Sequence, residues 1–382
     1  MSNYSTLLNN LLSFIPRYHF ERIVNSFRAD RYVKTLKCWN QFVTLLYAQA
    51  SGKDTLREIV QGLEVNNTKL YHLGLPNVKR STLAEANQNR NYRIYESLFY
   101  EILSRCKDLT PKHKFRFKNP LYSFDASTID LCLSAFPWAK FRATKGAIKL
   151  HCLYNHSGDM PEFAVMTEAN VSDITVAKSN LLIIPDSIYC LDRAYTDFEL
   201  WASIDSQQSY FVTKMKKSIK YEVTGQHTKT LKKGILSDER IRLKNRKYKK
   251  ELRLIRFYDD NTGEIIEFVT NNFKLAPYTI VLIYKTRWQI EIFFRWIKQN
   301  LKIKTFLGTS KNAVLTQVWV AMIYYLLLTY IKYQTKFKSS LLCLHRIVRE
   351  ALMSRLTLID LLRATPVKIA EFKIKEFQYN FW

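Results

Sequence analysis

Residues 312 to 331, NAVLTQVWVAMIYYLLLTYI, run for twenty positions without a charge. A helix of that length is about 30 Å long and apolar on every side, so it must be surrounded either by lipid or by protein. Both choices constrain the rest of the chain. Thr316, Gln317 and Thr329 interrupt the run, and a basic amphipathic segment precedes it. Those features predict the buried helix of a large soluble domain rather than a membrane span. The chain can supply the surround, with 382 residues of which 47% are hydrophobic. Its first twenty residues, MSNYSTLLNNLLSFIPRYHF, have neither a basic start nor a small-residue cleavage site, so no secretory leader is expected.

Charge narrows the partners. A net charge of +26 and a pI near 9.7 call for a polyanion, either nucleic acid or an anionic membrane surface, and charge alone does not choose. The six cysteines, at 38, 106, 132, 152, 190 and 343, include no CxxC pair, which fits reduced thiols in a cytosol. His151, Cys152 and His156 are the one metal-like local cluster. Strand alternation puts Cys152 and His156 on one face and His151 on the other, too few ligands for structural zinc.

The pattern along the chain is uneven. Residues 1–100 read as a helical domain, with LREIVQGL capped by Asp54 and a second helix opening at STLAEANQNRNYRIYESLFYEIL, where Thr82 and Glu85 have capping-box spacing. With Lys79, Arg80 and Arg90 near the second helix, the pair fits either a helix-turn-helix DNA reader or an ordinary bundle with a basic edge. A basic linker spans 101–120. Residues 121–213 then read as three strands, a helix, a strand, a helix and a strand, the running order of a ribonuclease-H-like α/β core. Residues 214–270 form a basic, β-rich insertion, with a hairpin turning at DDNTG. Between 201 and 250 fourteen Lys and Arg face four Asp and Glu. Long helices return over 271–332, and 333–382 is a C-terminal helical region. The fold class is therefore α/β, a ribonuclease-H-like core interrupted by a β-rich insertion, with a helical N-terminal domain.

Within that order, Asp125 lies on the first strand, Asp192 ends the fourth, and Glu291 lies on a later helix. Strands one and four are neighbours in such a sheet. Three carboxylates brought together from distant positions suit a pair of hard cations about 3.5–4 Å apart, which stabilise both the attacking and the leaving oxygen in phosphoryl transfer. The segment YKTRWQIEIFFRWIKQN, 284–300, reads as one helix. At about 100° per residue, Tyr284, Arg287, Arg295 and Lys298 fall within roughly 40° of Glu291. Ile292, Phe293, Trp296 and Ile297 take the opposite, core-facing side. Alone, this row is equally a solvated salt-bridge ladder.

The segments SFDASTIDLCLSAFPWAKFRATKGAIKLH, YCLDRAYTDFELW and YKTRWQIEIFFRWIKQNLKIKTFLGTS resemble the DDE transposases of insertion-sequence family four. Their signature of Tyr, two residues, Arg, three residues, Glu, six residues and Lys is met at Tyr284, Arg287, Glu291 and Lys298. The resemblance covers about 117 to 332, and the N-terminal region resembles the helical leader domain of one branch of that family. It implies that Asp125, Asp192 and Glu291 bind two Mg²⁺ ions, with Mn²⁺ able to substitute. Tyr284, Arg287 and Lys298 become contacts to DNA phosphate, with Arg295 and Trp288 beside them. It further implies a bacterial, cytoplasmic, nucleoid-associated enzyme without a membrane partner. A homodimer would cut double-stranded DNA at the element's terminal inverted repeats, pass through a hairpin, and join the ends to target DNA. The alternatives are a related nuclease without strand transfer, or an inactive DNA-binding derivative. One departure stands out: the family's Arg-Gly-Tyr after the second Asp is here Arg193, Ala194, Tyr195. A positive φ at that point would strain alanine. A hairpin intermediate also calls for an aromatic to hold an extruded base, and the candidates are Tyr221, Tyr248, Phe257, Tyr258 and Trp288.

Overall fold

The computed structural model describes residues 5–107, 111–228, 234–244 and 247–355, and these divide into two compact units. One comprises residues 5–107 and 297–355; the other comprises 111–296.

The helical unit begins with α1 (Leu7–Ser13), α2 (Arg17–Ser26), α3 (Cys38–Ser51), α4 (Leu56–Val65), α5 (Asn67–Leu73), α6 (Arg80–Asn89) and α7 (Arg93–Lys107). Two sequence expectations are corrected here. Thr55, not Asp54, caps α4, because its side chain accepts from the Glu58 N–H. Between α4 and α6, the short helix α5 is closed by Gly74 in the left-handed region. The segment expected as one helix from Ser81 breaks between α6 and α7. There Arg90 donates to the Gln41 side chain (3.1 Å) and also bonds the Leu36 carbonyl. Arg90 thus serves a buried network that also joins Gln41 to Asn87 and Tyr95.

The mixed α/β unit opens with β1 (Leu121–Leu131), β2 (Lys140–Arg142), β3 (Lys145–Asn155) and β4 (Met160–Glu168). It continues with α8 (Asp173–Asn180), β5 (Ile188–Leu191), α9 (Phe198–Ser206) and β6 (Tyr210–Lys214). β1 pairs antiparallel with β3 and parallel with β5, and β5 runs parallel to β6. All four residues of β5 are buried, as a central strand covered on both faces requires. Alternation sorts the side chains: Tyr122, Phe124, Tyr189 and Leu191 enter one apolar cluster, while Leu121, Ile188 and Cys190 enter another.

The insertion supplies β7 (Tyr221–Gln226), β8 (Ile235–Leu243), β9 (Leu252–Asp259) and β10 (Glu264–Thr270). It makes no sheet of its own. β10 pairs with β6, so the sheet runs β2-β3-β1-β5-β6-β10-β9-β8-β7, with β4 on β3. A buried pair anchors it: Arg253 donates from Nε and Nη2 to Asp238 at 2.7 and 2.8 Å, and from Nη1 to the Asn272 and Leu275 carbonyls. That last tie fixes the segment leading to α10 (Pro277–Thr286), which is followed by α11 (Trp288–Asn300).

The helical unit is completed by α12 (Lys311–Gln334) and α13 (Leu341–Ala351). α12 contains the uncharged run and is the one described helix apolar and long enough to span a bilayer, yet 94% of its most apolar window is buried in protein. It packs on α3, α6 and α7, with Trp319 against Phe99 at 5.1 Å. Gln317 is tolerated there because its amide donates to the Lys302 and Thr305 carbonyls and accepts from the Leu307 N–H. Helices beyond residue 297 thus group with the N-terminal helices rather than with the sheet.

Candidate active site

β1 delivers Asp125 midway along its length, opposite Cys152 of β3, and Asp125 Oδ1 accepts from the Ala126 N–H at 2.8 Å. β5 ends at Leu191, so Asp192 sits at the carboxyl end of the neighbouring parallel strand. Asp192 caps a 3₁₀ turn over Arg193–Tyr195, its Oδ1 accepting from the Ala194 N–H at 3.3 Å. Ala194 is absent from the residues with positive φ, so the strain expected for alanine at this turn does not arise.

The helix expected over 284–300 is interrupted at Arg287. There the ladder tightens, with Arg287 N–H to the Tyr284 carbonyl and Ile290 N–H to the Arg287 carbonyl. The interruption divides the expected charged row. Tyr284 is buried against Phe268 and belongs to the core. Arg287 points among the acids, with Nη2 2.6 Å from Glu291 Oε1 and Nη1 3.7 Å from Asp125 Oδ2 and 3.6 Å from Asp192 Oδ2. One guanidinium thus gathers the three carboxylates that the sequence places far apart. On the opposite side Phe293 and Ile297 are buried, but Ile292 is exposed. Arg295 is exposed over the Trp288 ring at 5.5 Å, and Lys298 is half-buried further along α11.

Burial pushes the Asp125 carboxyl up to about 6; the Ala126 N–H and Arg287 oppose the rise, and Asp192 and Glu291 add to it. Arg287 Nε and Nη1 have no hydrogen-bond partner among the described residues, and its charge is answered by the carboxylates and by the Tyr284 ring. The acids do not form a ready three-ligand metal cage among the described residues. Their chemistry nevertheless suits a hard divalent cation, since hard oxygen donors already converge on a positive group. Beside them, the Tyr195 hydroxyl is buried without a hydrogen-bond partner among the described residues. Burial, then Asp125, pushes this phenol far above its ordinary range. Sequence reasoning gave Tyr195 no role, although its place three residues after Asp192 marked it. His151 and His156 are instead bonded to Thr167 (2.9 Å) and Ser123 (2.8 Å).

This sheet order, with β1 between antiparallel β3 and parallel β5, is that of a ribonuclease-H-like fold. Residues 116–327 match the family described as the transposase DDE domain, and the chain belongs to that family of metal-dependent enzymes that cut DNA and transfer its strands. It is similar to a protein of Geobacillus stearothermophilus named as the transposase for insertion sequence element IS5377. The two are 31% identical over 267 residues, which cover 69% of this chain and 70% of the other. It is also similar to the transposase y4zB of Sinorhizobium fredii, 30% identical over 253 residues, 64% of this chain and 69% of that one. A solved piggyBac transposase synaptic complex with hairpin DNA covers 97% of this chain and 84% of that chain, at 10% identity and a TM-score of 0.46. Residues 3–76 match a domain of unknown function, DUF4372.

Proposed function

We propose that this DNA transposase works through Asp125, Asp192 and Glu291 as ligands of two Mg²⁺ ions, replaceable by Mn²⁺. The convergence of the three carboxylates on Arg287 carries the reading. The ions, when bound, would polarise the scissile phosphate and activate the attacking oxygen. The chain's own residues do the rest. Arg287, among the acids, offers guanidinium donors to a DNA phosphate. Lys298 and Arg295 extend positive charge along α11, and Trp288 presents an exposed ring. Tyr284, though buried, helps hold Arg287 in place through its ring, 5.8 Å from the guanidinium carbon. The chemistry breaks the P–O3′ bond at an element end as water oxygen bonds to phosphorus. The freed 3′-OH then attacks a phosphodiester of the opposite strand, displacing the flanking DNA's 3′-OH to give a hairpin. Water reopens the hairpin and regenerates the 3′-OH, which attacks a target phosphodiester and displaces the target's 3′-OH. Two ends imply a homodimer in the synaptic complex, acting at the nucleoid of a bacterium. The basic insertion would follow the backbone of the distorted strand.

The test is to change Asp125 or Asp192 to Asn and Glu291 to Gln in the full chain. Each variant should lose cleavage of an element-end duplex while keeping most of its binding, because phosphate contacts dominate affinity. Substantial cleavage by Asp192→Asn would overturn the assignment, and cleavage without joined products from the wild type would remove strand transfer.

A further inference from the structure

The helical unit contains a cavity of about 400 Å³, and of the residues lining it only Lys298 has a role above. Lys298, Lys302, Lys304, Arg346 and Arg349 face it, and Asp54 is the one acidic side chain among the residues that line it. Asp54 is already engaged, 2.8 Å from Lys302 Nζ. Lys304, Arg346 and Arg349 make no ion pair with an acidic side chain among the described residues. Arg346 and Arg349 lie three residues apart on α13 and so share a face.

The wall is shaped for a guanidinium. Gly52 ends α3 at φ +71°, and a Cβ there would stand 3.3 Å from Arg349 Cζ, so glycine lets the Arg349 head lie against the backbone turn. His345 adds no charge. Burial pushes its ring down to about 4, with Arg349 and Arg346 opposing protonation further, and it shares a 3.1 Å hydrogen bond with the Tyr324 hydroxyl. So many like charges facing one cavity repel one another, a cost that an anion removes. Guanidinium pairs suit a phosphate by bidentate donation. The volume exceeds what one free phosphate ion fills and suits a phosphodiester with its flanking sugar.

We propose that this cavity is a second DNA-backbone site, in which Arg346 and Arg349, supported by Lys304, hold a phosphodiester of the bound duplex. The site lies on helices outside the DDE sheet, and it rests on the chain's action on DNA but not on the assignment of the carboxylates.

The experiment uses the full chain, an element-end duplex and an unrelated duplex, with binding measured across a range of KCl concentrations. Each lost phosphate contact should flatten the log–log slope by about 0.9. Arg346→Gln with Arg349→Gln should flatten it by one to two contacts' worth, roughly 0.9–1.8, with both duplexes. Arg349→Lys alone should retain most of the slope. An unchanged slope in the double Gln variant overturns the proposal. So does a result in which wild type binds inorganic phosphate by calorimetry, the double variant loses that binding, and the DNA slope stays the same, for the site then takes a free anion. Cleavage by the wild type, with and without divalent metal, is read on the same element-end duplex. Failure there counts against the carboxylate reading, and the slope independently decides the cavity.

Discussion

Glu291 Oε1 accepts from Arg287 Nη2 at 2.6 Å, one helical turn away, and that pair stands beside two further carboxylates, at 3.6 and 3.7 Å from the same guanidinium. Arg287 therefore does for the acids what a metal would do, offsetting their mutual repulsion. A neutral residue of similar length should expose the consequence. In chelated buffer, Arg287→Met should lose stability, by about 1.5–3 kcal/mol for a hydrogen bond to a charged group. Millimolar MgCl₂ should then raise its melting temperature by more than it raises the wild type's, because the cation is binding acids that have lost their counter-charge. Equal or smaller metal-induced shifts in the variant would show that Arg287 and the metal do not share these carboxylates.

Asp125 gives the site a pH signature. Its carboxyl stands near 6 rather than 3.8. A raised acid contributes stability that is fully present below the unfolded pKa and lost as pH rises through the folded one. Two units correspond to about 3 kcal/mol at most. Between pH 4 and 7 without metal, wild type should therefore lose stability relative to Asp125→Asn. Urea titrations across that window check it. Parallel pH profiles for the two proteins would assign the carboxyl an ordinary pKa.

Much of this was legible because the informative patterns are local. The run from Asn312 to Ile331 marked the buried helix, and the running order of strands and helices placed Asp125 and Asp192 on the first and fourth strands, which are neighbours in a ribonuclease-H-like sheet. The interruption at Arg287 was not legible. Its backbone stays in the right-handed region, at φ −51° and ψ −31°, so helical spacing hardly changes. What changes is set by distant partners: Tyr284 enters the apolar cluster with Phe268, and Arg287 turns to acids on two strands. The Arg90 network was hidden for the same reason, since its partner Gln41 lies 49 positions away. The sheet-extending place of the insertion depends on β10 meeting β6 in antiparallel register, which local propensity does not encode.

That extended sheet hangs on the fully buried Arg253–Asp238 pair. Removing one partner leaves a buried charge without compensation. Asp238→Ala should cost about 3–5 kcal/mol. The double change Asp238→Leu with Arg253→Met should cost clearly less, since neither charge is then stranded. Chemical denaturation of both variants settles this. If the double variant is no better than the single, the pair's role is to satisfy the Asn272 and Leu275 carbonyls rather than to balance charge.

The aromatic candidates for holding an extruded base separate by exposure. Tyr248 and Phe257 are buried, and the Tyr221 hydroxyl accepts from Arg256 Nη2 at 3.1 Å. A buried ring has no face to offer a base. Tyr258 is 40% exposed and Trp288 49%, and Arg295 stands over the Trp288 ring, where a guanidinium adds to stacking on a nucleobase. Trp288 also begins α11, three residues before Glu291. Stacking on an aromatic contributes about 1–3 kcal/mol, which is roughly 5- to 150-fold in a rate that depends on it. Trp288→Ala should therefore nick an element end at the wild-type rate and form hairpins more slowly by that factor, while Trp288→Phe keeps most of the second step. Tyr248→Ala and Phe257→Ala should instead lower stability and depress both steps together. Time courses separating nicked from hairpin product decide the matter. If Trp288→Ala and Tyr258→Ala both preserve the ratio of the two rates, neither exposed ring holds the base.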